Sequence, residues 1–345
     1  MSAYDLSLVS CEAIQLGIDR AYAASGPLNQ EFLPLTNFLT SEVNTENVLE
    51  TIISPGNGKN FTAKVIYTPR IVEDEVSTTV SRACTSSNKA GQTYSLCEVD
   101  LTAGVELNEV IEIEDLAAIC EGTVSFTQSR LAAMFSGIRR KIETELTDQM
   151  AAALGGFPDD DTEGVAAGVK VVSTTTSGAT NLGAIEELGY TKDNIGLPRL
   201  YTFGSGLITK YFKRLEAGCC VDSYGVDLRE FYGNQGIVHS HSYRVANAFA
   251  NANDFFAVTP GAAHMVYVNL YAGENQRDSG SFKRMVLNDP VTGIPIDFKM
   301  TDTCDGIVIT PSLAFKLCVA PTDMFSLNDR MSGVNGLFHF RVTNA

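Results

Sequence analysis

Two histidines and a strand that would carry them are the first place in this 345-residue chain to look for chemistry. His239 and His241 stand two apart in "GIVHSHSYRV", so a strand there would place both imidazoles on one face. Two imidazoles can ligate a metal ion when a carboxylate or a cysteine joins them. Pairs of this kind are more often half-buried polar residues of a strand, and that interpretation is favoured over a metal site.

Two glycines give a second candidate, a nucleotide site. "RLYTFGSGLITKYF" places Gly204 and Gly206 between a predicted strand and a predicted helix. A dinucleotide fingerprint needs a third glycine three residues later, where this chain has Thr209. A tight turn followed by a helix N-terminus explains the same residues, and nucleotide binding stays as an alternative.

Other residues offer little chemistry. The chain has four histidines and neither a G-x-S-x-G nor an H-E-x-x-H motif. Asp302, Cys304 and Asp305 in "MTDTCDG" could be loop ligands, but a turn between strands explains them better. The acidic loop "PDDDTEG" (158–164) lacks the ligand spacing and closing Glu of a calcium loop. We therefore expect no catalytic residue, no cofactor and no metal, and a protein that is not an enzyme.

Composition limits where the chain works and what it binds. No run of about 18 apolar residues exists, which predicts no transmembrane helix. The N-terminal sequence lacks the features of a signal peptide, which predicts a cytoplasmic protein. The eight cysteines form no CxxC pair and are expected to be reduced, structural thiols. A net charge of −16 argues against tight nucleic-acid binding and suits a protein that encloses DNA without adhering to it.

The first hundred residues predict an arm and a hairpin. Residues 1–50 read as an extended arm with short helical pieces, because Pro27 and Pro34 break any longer helix. "FTAKVIYTPRIV" and "TYSLCEVDLTAGVEL" alternate between apolar and polar residues, which predicts a long antiparallel hairpin with its tip at 86–91. An isolated two-stranded ribbon is marginally stable, so another element must cover it.

A long helix is the most regular element of the chain. After a short acidic helix in "ELNEVIEIEDLAAICEG", residues 125–154 are predicted to form a helix that begins with a capping box at Ser125 and Gln128. It would span roughly 40 Å at about 1.5 Å per residue. Its apolar residues repeat every three or four positions, which predicts a surface rod with one side on a sheet. They are Leu131, Met134, Phe135, Ile138, Ile142, Leu146, Met150 and Leu154.

The second half reads as short helices and strands of a mixed α/β domain. The final strands, in "IPIDFKMTD", "GIVITPSLAFKLCVAP" and "GLFHFRVTNA", are expected to return to the sheet beneath the long helix. This would make the domain that carries the helix discontinuous in sequence.

This order of elements resembles the major capsid protein of tailed bacteriophages, whose fold is shared with encapsulins and the herpesvirus capsid floor. The resemblance implies an α+β fold with an N-terminal arm, an extended β-hairpin called the E-loop, a peripheral domain with a spine helix over a sheet, and an α/β axial domain. Carried onto this sequence, it places the arm at 1–50, the E-loop at 51–107, the peripheral domain at 108–179 and 288–345 with its spine helix at 125–154, and the axial domain at 180–287.

The resemblance also implies a function. The chain would self-assemble as pentamers and hexamers into the icosahedral head shell of a tailed double-stranded DNA bacteriophage, enclosing the genome without binding it specifically and crossing no membrane. Portal, scaffold and decoration proteins would be its partners, and it would be a virion protein assembled in the host bacterial cytoplasm. The alternatives are a nucleotide-binding α/β enzyme and another virion structural protein associated with the tail or portal.

Five basic residues are the candidates for contacts between subunits. We expect three of them, Arg139, Arg140 and Lys141, on the exposed face of the long helix. A helix face that is simply solvated, with no contact to another subunit, explains them equally well. Lys64 and Lys89 lie in or near the hairpin. Some members of the family crosslink an E-loop lysine to an asparagine of a neighbour, but no pattern in this sequence establishes such a bond.

Overall fold

The structure is a computed structural model of the chain. It describes residues 16–17, 19–20, 23, 33–46, 48–56, 59–67, 93–112, 123–155, 168–176, 179–180, 182–196, 198–217, 232–279, 281–303, 306–321, 324 and 335–343. The predicted hairpin tip at 86–91 and the acidic loop at 158–164 lie outside these residues.

One α-helix is much longer than the others whose bounds the described residues define. The helices are α1 (Pro34–Leu39), α2 (Glu42–Thr45), α3 (Thr123–Ala153), α4 (Gly183–Ile195), α5 (Gly206–Ala217) and α6 (Tyr243–Ala248).

The strands account for most of the remaining described chain. They are β1 (Val48–Pro55), β2 (Asn60–Tyr67), β3 (Thr93–Asp100), β4 (Gly104–Glu106), β5 (Glu109–Glu112), β6 (Val169–Ser173), β7 (Thr175–Thr176), β8 (Ala179–Thr180), β9 (Leu200–Gly204), β10 (Ile237–His241), β11 (Asp254–Val258), β12 (Ala263–Val268), β13 (Arg277–Asp278), β14 (Phe282–Asn288), β15 (Pro295–Thr303), β16 (Gly306–Val319) and β17 (Leu337–Thr343).

Three sheets contain nearly all of these strands. The hairpin sheet has the order β1-β2-β3 and is antiparallel. The antiparallel sheet has the order β12-β16-β15-β14-β13, with β4 and β5 also paired to β16. The mixed sheet has the order β10-β9-β11-β17-β6, in which the pairs β10/β9 and β17/β6 are parallel. The α+β fold class and the predicted order of hairpin, long helix, mixed α/β region and late strands are therefore confirmed.

The long helix α3 forms as the apolar periodicity predicts. It has 31 residues, about 46 Å at 1.5 Å per residue. Phe135, Ile138, Ile142, Leu146 and Met150 are buried, and Phe135 stacks on Phe298 of β15. The predicted start is two residues late, because the helix begins at Thr123, so Ser125 lies inside the first turn and is not its cap.

The predicted acidic helix is wrong where the structure describes it. Glu109–Glu112 is strand β5 and pairs with Gly306–Ile309 of β16. Ile111 is buried while Val110 on the opposite face is exposed. A segment of four residues with one buried apolar side chain is compatible with a strand and with a helix. Its pairing with β16 favours the strand.

The hairpin is confirmed, and a third strand covers one of its edges. β2 and β3 pair from Asn60↔Asp100 to Tyr67↔Thr93, with Ala63, Val65 and Tyr67 buried on one face as predicted. β1 pairs with the other edge of β2. The predicted boundary between arm and hairpin at residue 50 falls inside this strand.

The strand β17 lies in a different sheet from the one predicted. It pairs with β11 and β6 in the mixed sheet, whereas β15 and β16 do lie beneath α3 in the antiparallel sheet. Asp254 of β11 lies opposite Arg341 of β17 and accepts hydrogen bonds from the Arg341 Nε and Nη2 atoms at 2.5 and 2.8 Å. The domain boundaries stay a prediction.

We expect Leu146→Ala to lower the free energy of unfolding by about 2–5 kcal/mol, because it leaves a cavity between α3 and the antiparallel sheet. Urea denaturation of the purified chain measures this change. Asp148→Ala, on the exposed side of the same helix, is the control and should change the value by less than about 0.5 kcal/mol. Equal losses in the two variants would contradict the burial of this stripe.

Candidate assembly surface

The sequence predicts a surface rod with one side on a sheet, but the middle of α3 is enclosed on more than one side. Glu143 is fully buried, and its carboxylate accepts hydrogen bonds from Leu35 N at 3.0 Å, Thr36 N at 2.7 Å and Thr36 Oγ1 at 2.6 Å. These donors form the first turn of α1, whose N–H groups have no partner within the helix. The arm segment 33–45 is thus fastened to the long helix by one carboxylate.

The six-residue helix α1 is one of the short helical pieces predicted for the arm, and Pro34 stands at its start. Proline suits that position because a first-turn N–H would lack an intrahelical partner in any case. Asn44 fastens the end of the segment: its Nδ2 donates to Ala263 O at 2.9 Å, and Gly261 N donates to its Oδ1 at 3.0 Å.

The prediction that Arg139 is exposed is wrong. The side chain is 1% exposed and forms an ion pair with Asp289, which is fully buried. Asp289 also accepts hydrogen bonds from Thr292 N at 2.8 Å and Thr292 Oγ1 at 2.7 Å. Burial lowers the pKa of Arg139, and Asp289 opposes that shift. The guanidinium therefore ties α3 to the turn between β14 and β15 of its own chain.

Arg140 and Lys141 lie on the exposed side of α3, as predicted. The Lys141 Nζ pairs with Glu145 Oε1 at 2.6 Å, one helical turn later, and this contact raises the pKa of Lys141. The Arg140 Nε donates to Ser136 O at 3.4 Å. Both side chains keep an accessible position, and their role in contacts between subunits stays a prediction.

The hairpin sheet has an inner face on the body of the protein and an outer face with exposed apolar side chains. The inner face carries Ala63, Val65 and Tyr67, all buried, and β3 packs against β16. On the outer face, strand register places Ile52, Lys64 and Leu96 side by side in one row. Tyr94 adjoins that row, and Tyr94 and Leu96 are 50% and 62% exposed.

Lys64 is part of this outer face. Its ammonium lies 4.3 Å from the centre of the Tyr94 ring, a cation–π contact. Strand register places Lys64 between Ile52 and Leu96, so its aliphatic stem extends the apolar surface. The sequence prediction that Lys64 lies in the hairpin is confirmed, its contact with another subunit stays a prediction, and Lys89 lies outside the described residues.

One pair of cysteines departs from the prediction of reduced thiols. Cys97 of β3 and Cys318 of β16 are joined as a disulfide, with their Cα atoms 5.9 Å apart. Nothing in the local sequence indicates this pair, because the two residues are 221 positions apart.

The two histidines of "VHSHS" share one face, as predicted, and both contact Thr209. The Thr209 Oγ1 lies 3.0 Å from His239 Nε2 and 3.2 Å from His241 Nδ1. Phe212 stacks on the His239 ring with centroids 4.4 Å apart. Burial lowers the pKa of His239 to about 3, with smaller contributions from His241 and Lys213. This is a packed neutral imidazole of the mixed sheet.

Close packing explains one of the two glycines between β9 and α5, and backbone conformation explains the other. A Cβ on Gly204 would come within 2.5 Å of Ile208 Cγ2 and 2.9 Å of Phe255 Cβ. Gly206 has φ +59°, a conformation that residues with a side chain rarely adopt. His239 and Thr209 occupy the same neighbourhood, so the turn is explained without a nucleotide.

Within the described residues, no group of three or more His, Cys, Asp or Glu side chains could hold a metal ion. Asp302 lies on β15, while Cys304 and Asp305 are outside the described part of the chain.

No described helix is both long and apolar enough to pass through a membrane. Asn335 bonds within its own chain: its Nδ2 donates to the Ala153 carbonyl at 3.0 Å, at the end of α3.

Comparison with known proteins gives likeness to solved structures only. No protein-family model and no curated protein matches the sequence. The capsid of cyanophage P-SCSP1u is 13% identical over 86% of this chain and 87% of that one, with a TM-score of 0.42. The Staphylococcus phage Andhra capsid is 8% identical over 84% and 82%, with a TM-score of 0.41. A structure from Mycobacterium phage Bobi is 10% identical over 85% and 88%, again with a TM-score of 0.41. At such values these likenesses carry no argument about function.

We expect Glu143→Gln to loosen α1, because a side-chain amide offers one acceptor and turns its own N–H donors toward those of Leu35 and Thr36. The free energy of unfolding should fall by about 1–3 kcal/mol. Hydrogen exchange of residues 34–40 should become faster. Glu145→Gln, which removes only the exposed pair with Lys141, should leave exchange in that segment unchanged. Unaltered protection in Glu143→Gln would refute the anchor.

His239 makes stability depend on pH, with a sign fixed by its lowered pKa. The unfolded chain binds a proton near pH 6.5 while the folded imidazole stays neutral down to about pH 3, so stability present above pH 6.5 is lost as the pH falls. Between pH 7 and pH 5 this group alone should cost about 2 kcal/mol of unfolding free energy. Urea denaturation at the two pH values should give a smaller difference in His239→Gln than in the unsubstituted chain. An identical difference would contradict the assignment.

Proposed function

We propose that this chain is the major capsid protein of a tailed double-stranded DNA bacteriophage, a structural subunit that assembles with copies of itself into the head shell. The observation that carries the proposal is the outer face of the hairpin sheet. Ile52, Leu96 and Tyr94 expose large apolar side chains in adjacent positions. Contiguous exposed apolar surface of this kind marks sites of protein association.

The edge of the same sheet supports association as well. β1 is eight residues long, and within the described residues its pairing is to β2 alone. Its outward N–H and C=O groups can accept another strand. Together, the edge and the outer face offer both backbone hydrogen bonds and apolar contact to a neighbouring subunit.

The rest of the chain suits a rigid subunit of a shell. A helix of about 46 Å packs on the antiparallel sheet, is fastened to the arm by Glu143, and is tied by Arg139 to the turn after β14. The net charge of −16 would keep enclosed DNA from adhering to the inner surface. The similar structures from cyanophage P-SCSP1u and Staphylococcus phage Andhra are capsids.

The proposal extends to the assembly, location and partners of the subunit. The subunits would form pentamers and hexamers, the mature protein would reside in the virion after assembly in the host bacterial cytoplasm, and portal, scaffold and decoration proteins would be its partners. The main alternative, a nucleotide-binding enzyme built around Gly204 and Gly206, has no observation in its favour, because steric packing and a positive φ account for both glycines.

The experiment is electron microscopy of the purified chain, with variants that place a charge on the outer face. The unsubstituted chain should form closed polyhedral shells, pentamers or hexamers. Leu96→Glu and Ile52→Glu should fold but assemble at least about tenfold less, since each copy of the contact would bury an unpaired carboxylate. Far-ultraviolet circular dichroism confirms that the variants remain folded.

Val291→Glu is the matched control, because Val291 is also exposed but lies in the turn between β14 and β15. It should assemble like the unsubstituted chain. A stable monomer that binds ATP or NAD in a calorimetric titration would overturn the proposal in favour of the enzyme. Normal shells from both hairpin variants would refute the surface assigned to assembly.

A further inference from the structure

One covalent bond links two sheets that share no backbone pairing in the described chain. Cys97 lies on the inner face of β3, and Cys318 lies fully buried on β16. Their Cα separation of 5.9 Å falls within the range that disulfides span without backbone movement. Among the described residues β3 pairs with β2 alone, and β16 belongs to the antiparallel sheet. The side chains of β3 and β16 therefore form the seam that this bond crosses.

We propose that Cys97 and Cys318 are a redox-controlled staple that locks the hairpin sheet onto the antiparallel sheet. In a reducing cytoplasm both residues are thiols, and outside it a small-molecule disulfide oxidises them. The inference rests on the proposed function for this change of compartment, since a virion protein is made inside a cell and works outside it.

The chemical step is thiol–disulfide exchange with a disulfide RSSR as the oxidant. Cys97, which is partly accessible while Cys318 is not, attacks RSSR as its thiolate and forms a mixed disulfide, releasing one RS⁻. The Cys318 thiolate then attacks the Cys97 sulfur and releases the second RS⁻. The two thiol protons pass through water to the two leaving thiolates, so two cysteines and RSSR give one protein disulfide and two RSH.

The bond would control the surface proposed for assembly. Strand register places Cys97 in a row with Ala63 and Ile53 across all three strands of the hairpin sheet. Leu96, the preceding residue, points to the outer face. Holding β3 at Cys97 therefore holds β2 and β1 through their backbone ladders, and it fixes the direction in which the outer face points.

Disulfide mapping tests the bond directly. The full chain is purified in reduced glutathione, and one portion is then treated with oxidised glutathione; both are alkylated with N-ethylmaleimide and digested for mass spectrometry. We expect both cysteines to be alkylated before oxidation and a linked Cys97–Cys318 peptide pair after it. A missing pair after oxidation would overturn the staple. So would pairing of either residue with another cysteine, and a bond that already exists in reduced glutathione would overturn its redox control.

Thermal unfolding tests the mechanical effect. Closing so long a loop should raise the apparent Tm of the oxidised chain by roughly 5–10 °C over the reduced chain. Cys97→Ser, Cys318→Ser and the double variant should all have the same lowered Tm under oxidising conditions, because each removes one shared bond. None should respond to reductant. A double variant that loses the sum of the single losses, or that still responds to reductant, would refute the staple.

The two proposals fail separately. Mapping requires no shell, so a chain that forms the bond but never assembles refutes the proposed function alone. If the chain forms shells but N-ethylmaleimide still alkylates Cys97 and Cys318 after treatment with oxidised glutathione, the staple alone is refuted.

Discussion

The burial of α3 is the constraint around which the other elements are arranged. A helix of this length has an apolar stripe that water cannot solvate cheaply, and the stripe lies on β16, itself a 14-residue strand. β16 pairs with β4, β5, β12 and β15, so segments from the first third and the last third of the chain meet beneath one helix. About 25 cal/mol per Å² of buried apolar surface supplies the drive for this arrangement.

Charged groups then give the arrangement its register. Apolar contact attracts surfaces without fixing their position, whereas a buried charge is costly unless its partners are placed around it. Glu143 fixes α1 on one side of α3, and Arg139 fixes the turn that carries Asp289 on another. Asp254 does the same in the mixed sheet, where it holds Arg341 opposite its own strand.

Local pattern predicted the elements well and their partners poorly. The apolar stripe from Leu131 to Met150 and the alternation in β2 and β3 depend only on residues that are close together in the sequence. The sequence therefore predicts the helix and the hairpin directly. The burial of Glu143 could not, because its donors lie 107 and 108 positions away. For the same reason the sequence predicts the wrong sheet for β17: its alternation fits either sheet, and its pairing with β11 and β6 depends on residues far away in the chain.

The candidate site shows the same division. The sequence pattern predicts that His239 and His241 share a face and that the hairpin strands alternate between apolar and polar residues, and the structure confirms both. It could not distinguish an apolar face that is covered from one that is open, since both have the same alternation. The pairing of Cys97 with Cys318 depends on the packing of two sheets, and no spacing in the sequence encodes that contact.

The position of β17 has a consequence for biosynthesis. In strand order it stands between β11 and β6, both of which leave the ribosome before it does. A nascent chain therefore carries a mixed sheet with a missing inner strand, and β6 cannot pair in that sheet until β17 arrives. Vectorial synthesis itself thus delays completion of the mixed sheet until β17 has been made.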